Sequence, residues 1–213
     1  MKKILAFIII AVMVTLLYIK WQVPTQLLAT PATPNIEHDT DQNLILVNQQ
    51  HPIRQDQLPT DLVNLFEQQR TYTLFSSDIQ LRAHVATALQ QMINAANTEG
   101  VTQFIVMSGY RNLEEQQALY DEMGSSYAMK PGYSEHHTGL ALDIGSTEGT
   151  MEMAPEGKWV ANNAHRFGFV LRYPADKTAI TGIEFEPWHL RYVGLPHSER
   201  MHEQNLVLEE YTP

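Results

Sequence analysis

The chain has 213 residues, 44% of them hydrophobic, enough for one domain of ordinary size and an appendage. Its 24 acidic and 14 basic residues leave a formal net charge of -10 with no long basic run, which argues against a nucleic-acid partner. The absence of cysteine removes thiolate zinc sites, disulfide scaffolds, cysteine nucleophiles and lipoprotein anchors, so any metal must be held by His, Asp or Glu.

Lys2 and Lys3 precede residues 4–19, which are apolar apart from Thr15 and the Tyr18 hydroxyl, and Lys20 and Trp21 close the run. The run falls slightly short of the ~20 residues of a comfortable span, but Tyr18 and Trp21 suit the membrane interface and lengthen it. No small-x-small cleavage site follows directly. Residues 1–21 are therefore expected to be an uncleaved single-pass membrane anchor or signal segment, with the lysines cytoplasmic and the remainder of the chain extracytoplasmic, on the periplasmic or cell-wall side. Residues 22–41, with Pro24, Pro31 and Pro34, read as a linker, and 42–213 as the folded domain, expected to act as a monomer.

Within that domain, residues 44–47 are expected to form a short strand and residues 60–66 a short helix. The clearest helix covers 81–96, where Leu81, Val85, Ala88, Leu89 and Met92 share a stripe. Residues 101–107 read as a strand that turns out through Ser108, Gly109, Tyr110 and Arg111. Asn112 and Glu115 then make a capping box for a helix to Met123. Further on, 161–169 reads as a helix and 169–173 as a strand. A last strand begins at 180–185, with Ile183 and Phe185 on one face and Glu184 and Glu186 on the other, and is broken by Pro187. Beyond Pro196 the chain is polar and acidic.

Between these elements lies the stretch around which the chain is organised, residues 131–144, PGYSEHHTGLALDI. If 139–144 is extended, Leu140, Leu142 and Ile144 point into a core while Gly139, Ala141 and Asp143 share a small face, leaving room for an ion and a peptide end. A mononuclear catalytic zinc site needs three protein ligands and an open position, and His136, Asp143 and His189 supply them. Such an ion brings the pKa of its bound water towards about 7 and polarises a carbonyl. Glu186, three positions before His189, is the natural proton carrier, with Glu184 as runner-up. Arg111 is placed to face an oxyanion or a substrate carboxylate, with Lys130 and Arg172 as weaker alternatives. Ser134 and Gln116 are read as further hydrogen-bond donors to substrate. Trp188 and Tyr133 are read at the pocket wall, or as ordinary packed aromatics. His137 is expected at the cleft rim or in solvent.

The pattern Ser134-x-His136-x-x-Gly139-x-Ala141-x-Asp143, with Ser108-Gly109-Tyr110-Arg111 and Gln116 before it and Glu186-Pro187-Trp188-His189 after it, resembles the VanY-type D-alanyl-D-alanine carboxypeptidases of the M15 zinc peptidase family. The resemblance extends over residues 43–195. It implies an α+β domain, a small antiparallel sheet flanked by helices, holding one Zn2+ through His136, Asp143 and His189, with Glu186 as catalytic base and Arg111 as stabiliser. The implied reaction is removal of the terminal D-alanine from peptidoglycan stem peptides. Leu190 departs from the family, whose members often carry an aromatic there.

Two further readings compete with it. One is an L,D-carboxypeptidase acting on tetrapeptide stems. The other is a non-catalytic zinc-containing cell-wall binding module, which the presence of Glu186 and Arg111 disfavours. A serine-type carboxypeptidase is excluded, because its Ser-x-x-Lys motif is absent and Ser126 and Lys130 stand one residue too far apart.

Overall fold

The computed structural model describes residues 41–125 and 127–211. The expected anchor, and all of the linker except Asp41, lie outside them. Among the described residues no helix is long and apolar enough to cross a membrane. In chain order the elements are β1 (Leu62–Asn64), β2 (Thr73–Leu74), β3 (Gln80–Arg82), α1 (Ala83–Thr98), β4 (Phe104–Ser108), α2 (Leu113–Met123), β5 (Ala141–Ser146), α3 (Pro155–Asn163), β6 (Phe169–Tyr173), α4 (Thr178–Thr181), β7 (Glu186–Tyr192) and α5 (His197–Glu203). A five-stranded sheet runs in the order β2-β4-β5-β7-β6, antiparallel throughout except for the parallel edge pair β2 and β4. The pair β1–β3 is a separate antiparallel ribbon. The fold is α+β, as expected.

Period-two alternation decides which side of the sheet is core. Leu142 and Ile144 of β5 join Val106 of β4, Leu190 of β7, and Val85, Leu89, Met92 and Ile93 of α1 in one buried cluster. Asp143, between them, must face the other way. Truncating a fully buried leucine such as Leu142 to alanine costs about 2–5 kcal/mol, so this register is strongly held. The α1 stripe is buried as the spacing predicts, although Leu81 belongs to β3. The capping box of α2 forms in both directions: Asn112 Oδ1 accepts from Glu115 N at 2.9 Å and Glu115 Oε2 accepts from Asn112 N at 2.8 Å.

Several expected elements differ. Residues 44–47 form no strand; their neighbourhood is held by side chains, with Arg191 Nη2 donating to the carbonyls of Asn43 and Ile45 at 2.9 and 2.7 Å. Residues 60–66 form no α-helix. Val63 pairs with Leu81, and Asn64 caps a short 3-10 turn by accepting from Phe66 N at 2.7 Å, because ladder partners on β3 were available to a stretch whose apolar spacing suits either element. The helix expected at 161–169 starts earlier, with Pro155 in its first turn, where a missing N–H costs nothing, and gives way to a 3-10 turn at Ala164–Phe167.

Pro187 does not end a strand but lies inside β7. Leu171 pairs with Leu190 and Tyr173 with Glu186, so two steps along β6 match four along β7, and this irregularity houses a residue with no N–H to give the ladder. Residues 180–185 accordingly precede the strand instead of starting it. The C-terminal stretch is also integral, since Val207 and Leu208 are buried, and Leu208 packs with Val170, Val193 and Met201.

Candidate metal centre

Three adjacent central strands place a row of polar side chains on the sheet face opposite the core. Ser108 of β4 is the register partner of Asp143 on β5, and Asp143 is the partner of His189 on β7. Ser108 Oγ donates to Asp143 Oδ2 at 2.6 Å, and His189 Nδ1 lies 3.1 Å from Asp143 Oδ1. His136 comes from the 3-10 turn Glu135–Thr138, just before β5, and its Nε2 is 3.4 Å from Asp143 Oδ2. One donor atom from each of His136, Asp143 and His189 lies within 4.8 Å of the others. Donors at zinc–ligand distances of about 2.0–2.1 Å in a tetrahedron stand roughly 3.4 Å apart, so the cluster is close to the required spacing.

The donor chemistry fits as well. His136 Nδ1 sits 2.7 Å from the carbonyl oxygen of Gly109, and His189 Nε2 sits 3.4 Å from Glu135 Oε2, so each ring has an acceptor behind it and the other nitrogen turned to the centre. Burial pushes His136 down to about 4, against the pull of Asp143, which keeps the ring neutral, as a ligand must be. For His189 burial also lowers the value, but hydrogen bonds to Asp143 and Glu135 outweigh it and raise it to about 9. Burial pushes Asp143 up, but the two histidines and Ser108 hold its carboxyl well below the usual range. Binding of a cation at His189 Nδ1 would displace only the proton between that nitrogen and Asp143.

Around this cluster the other expected site residues fall into two groups. Glu186 is on the same side: its Oε2 is 3.9 Å from His189 Nδ1, and burial raises its carboxyl although His189 opposes the shift. Trp188 is 42% exposed, so it is not a buried packing residue. Tyr133 is half-buried and lines a cavity of about 360 Å³ with Tyr120, Met129 and Lys130. Arg111 donates from Nη1 to Gln116 Oε1 at 2.7 Å, and its own amide donates to the carbonyl of His136 at 3.2 Å.

Internal hydrogen bonds occupy the second group. Gln116 is 1% exposed, and its Nε2 donates to the carbonyl of Met129 at 2.6 Å, so one end of its amide meets Arg111 and the other the backbone. Ser134 is buried and caps the 3-10 turn, its Oγ accepting from His136 N at 3.3 Å, a contact compatible with the same hydroxyl donating to a substrate. Arg172 is withdrawn from any ligand between Glu135 and Glu209. His137, expected at the rim, is fully buried; its Nδ1 meets the Arg111 carbonyl at 2.6 Å and its Nε2 accepts from Gly132 N at 2.9 Å. Gly139 does not lie on the strand either. It ends the 3-10 turn at φ 66°, and a Cβ there would stand 3.1 Å from Arg82 Cγ and from Leu62 Cδ2, so the glycine serves a left-handed turn and close packing, not room for an ion.

Two residues escaped the sequence reading. Ser108 orients Asp143, and Glu135 stands behind His189. For Glu135 a signal existed: Arg172 and Arg191 interrupt apolar strands, and buried guanidiniums require carboxylate partners.

Comparison with known proteins points to one family. The family model "VanY: D-alanyl-D-alanine carboxypeptidase" matches residues 78–195. A D-alanyl-D-alanine carboxypeptidase of Enterococcus faecium is 52% identical over 172 residues, which cover 79% of this chain and 57% of that protein. Among solved structures, a mutant VanY D,D-pentapeptidase from a VanB-type vancomycin-resistance cassette, in complex with Zn(II), aligns with a TM-score of 0.68 and 36% identity over 80% of this chain and 98% of that one. The LdcB LD-carboxypeptidase aligns with a TM-score of 0.71 and 36% identity over 80% of this chain and 86% of that one.

Proposed function

The chain belongs to the VanY family of D-alanyl-D-alanine carboxypeptidases, and from that membership we propose that it is a zinc-dependent D,D-carboxypeptidase that removes the terminal D-alanine from peptidoglycan stem peptides. One observation carries the reading: the Asp143–His189 strand pair and the facing His136 form a three-donor cluster with a carboxyl of raised pKa, Glu186, 3.9 Å from His189.

His136, Asp143 and His189 would hold the ion. When bound, zinc supplies Lewis acidity towards a carbonyl and acidifies water. The remaining work belongs to the chain. Glu186, outside the three-donor set, takes a proton from the attacking water and returns it to the leaving D-alanine amine, a task suited to a carboxyl whose affinity for protons is raised. Arg111, steadied by Gln116, turns its charge towards the developing oxyanion or the peptide carboxylate. Trp188 and Tyr133 supply walls for the peptide.

A second reading is favoured by the LdcB likeness, which equals that to the D,D-pentapeptidase in identity: L,D-cleavage of tetrapeptide stems at the same site. A non-catalytic wall-binding module would have no use for Glu186. The proposed setting is the extracytoplasmic face of the cell membrane, with residues 1–21 as anchor and the domain acting as a monomer; the paired Lys2 and Lys3 before an apolar run support that orientation. To separate the readings, the full chain in detergent is incubated with pentapeptide and tetrapeptide stems and the products are weighed by mass spectrometry. Loss of one alanine from the pentapeptide alone supports the D,D reading. Loss from the tetrapeptide alone transfers support to the L,D reading, and loss from neither defeats both.

A further inference from the structure

We propose that Glu135 is a positioning residue for the metal centre: its Oε2 accepts a hydrogen bond from His189 Nε2 and so holds the imidazole with Nδ1 turned to Asp143 and the ion. The inference rests on the reading of His136, Asp143 and His189 as zinc ligands.

The Glu135 side chain is wholly buried, and its two oxygens do different work. Oε1 accepts from Arg172 Nε at 2.7 Å and from Arg191 Nη1 at 2.8 Å, while Oε2 faces His189 Nε2 at 3.4 Å. Both guanidiniums are anchored elsewhere. Arg191 Nη2 donates to the carbonyls of Asn43 and Ile45, near the start of the domain. Arg172 gives its two terminal nitrogens to Glu209, near the end of the chain, at 2.8 and 2.7 Å, and Asn48 Nδ2 also donates to Glu209, at 3.1 Å. Two arginines and two glutamates thus balance in charge without the histidine. A carboxylate needed only to neutralise the arginines would turn both oxygens to them, as Glu209 does towards Arg172. Glu135 instead keeps one oxygen for His189.

This arrangement has a consequence for the ligand. A histidine can offer a metal only the nitrogen that lacks a proton, and the partner of the other nitrogen decides which that is. Because Oε1 is clamped by two guanidiniums, Oε2 cannot swing away, and the ring is fixed in direction as well as tautomer. The segments around Asn43 and Glu209 are in this way coupled to the metal site through the buried side chains of Glu135, Arg172 and Arg191.

The test compares zinc binding by the wild-type full chain with binding by Glu135→Gln and Glu209→Gln, using competition with a chromophoric chelator and the absorption bands of the cobalt(II)-loaded protein. Glu209→Gln removes a carboxylate from the same Arg172 without touching His189, so it reports the purely structural effect. Expected results are a zinc Kd raised about 10–100-fold with altered cobalt bands in Glu135→Gln, and lowered thermal stability with a Kd within about twofold of wild type in Glu209→Gln. A folded Glu135→Gln protein whose zinc Kd and cobalt bands match wild type overturns the proposal while leaving the zinc reading intact. A wild-type chain that takes up no zinc overturns both. Should Glu135→Gln fail to fold, long-range 1H–15N correlation on the zinc-loaded wild type decides: a proton on His189 Nε2 with Nδ1 on the metal supports the role, and the opposite arrangement overturns it.

Discussion

Asp143 and His189 are register partners on β5 and β7, with His189 Nδ1 3.1 Å from Asp143 Oδ1, so strand pairing itself sets the spacing of two of the three proposed ligands. A slip of one residue would turn one of them into the core, and the fully buried Leu142 and Leu190, themselves partners in the same ladder, oppose such a slip.

Asp143→Asn keeps the shape and the hydrogen bond from Ser108 but removes the charge the cation needs. Substitution of partners behind a ligand already costs about 10–100-fold in metal affinity or activity, so loss at the ligand itself should reach or exceed the upper figure. After dialysis, elemental analysis is expected to find well under one zinc per chain. A full equivalent of zinc would remove Asp143 from the ligand set.

Glu186→Gln separates catalysis from metal binding. Glu186 lies outside the three-donor cluster, so the variant should keep its zinc, while D-alanine release falls by about 10²–10⁴-fold, the usual worth of a positioned general base. Unchanged release by the zinc-loaded variant would exclude the proton-carrier role.

Gly139→Ala tests the turn that presents His136. At φ 66° an L residue is strained by about 1–2 kcal/mol, and the contacts of 3.1 Å to Arg82 and Leu62 add to it. We expect a fall of a few degrees in Tm and weaker zinc binding together, because the strain falls three residues from His136. A variant as stable as wild type would mean the turn relaxes freely.

Acid should weaken the C-terminal clamp. Burial pushes the Glu209 carboxyl up, but the hydrogen bonds and charge of Arg172 and the Asn48 amide bring it below its ordinary value. A folded-state pKa depressed below the unfolded one contributes stability that is present above the unfolded value, about 4.3 for glutamate, and is lost as pH falls through the folded value. The thermal midpoint of the wild type should therefore drop as pH falls below that range, and Glu209→Gln should be less stable at neutral pH with a shallower acid slope. Equal slopes for both proteins would show that other carboxylates dominate.

The metal centre was legible in the sequence because its ligands sit in short local patterns: two in one stretch of 14 residues, the third just after a glutamate and a proline. The core face of β5 was legible for the same reason, since Leu140, Leu142 and Ile144 alternate cleanly. What sequence left hidden depends on distant partners. Arg172 reads as a cation free to meet substrate until Glu135 and Glu209 are brought to it, and His137 as a surface residue until the Arg111 carbonyl and Gly132 amide enclose its ring. Pro187 reads as a strand breaker until the mismatch between β6 and β7 gives it a place. Gly139 reads as room left for an ion until Arg82 and Leu62 are brought against it, because spacing shows which residues share a face but not what presses on them.

Measuring D-alanine released from a pentapeptide stem by the full chain, during chelation and zinc restoration, decides whether His136, Asp143 and His189 form the centre of a zinc-dependent carboxypeptidase. Release should stop on removal of the metal and return in proportion to zinc, levelling off at one equivalent per chain. Undiminished release by metal-free protein would rule out zinc dependence.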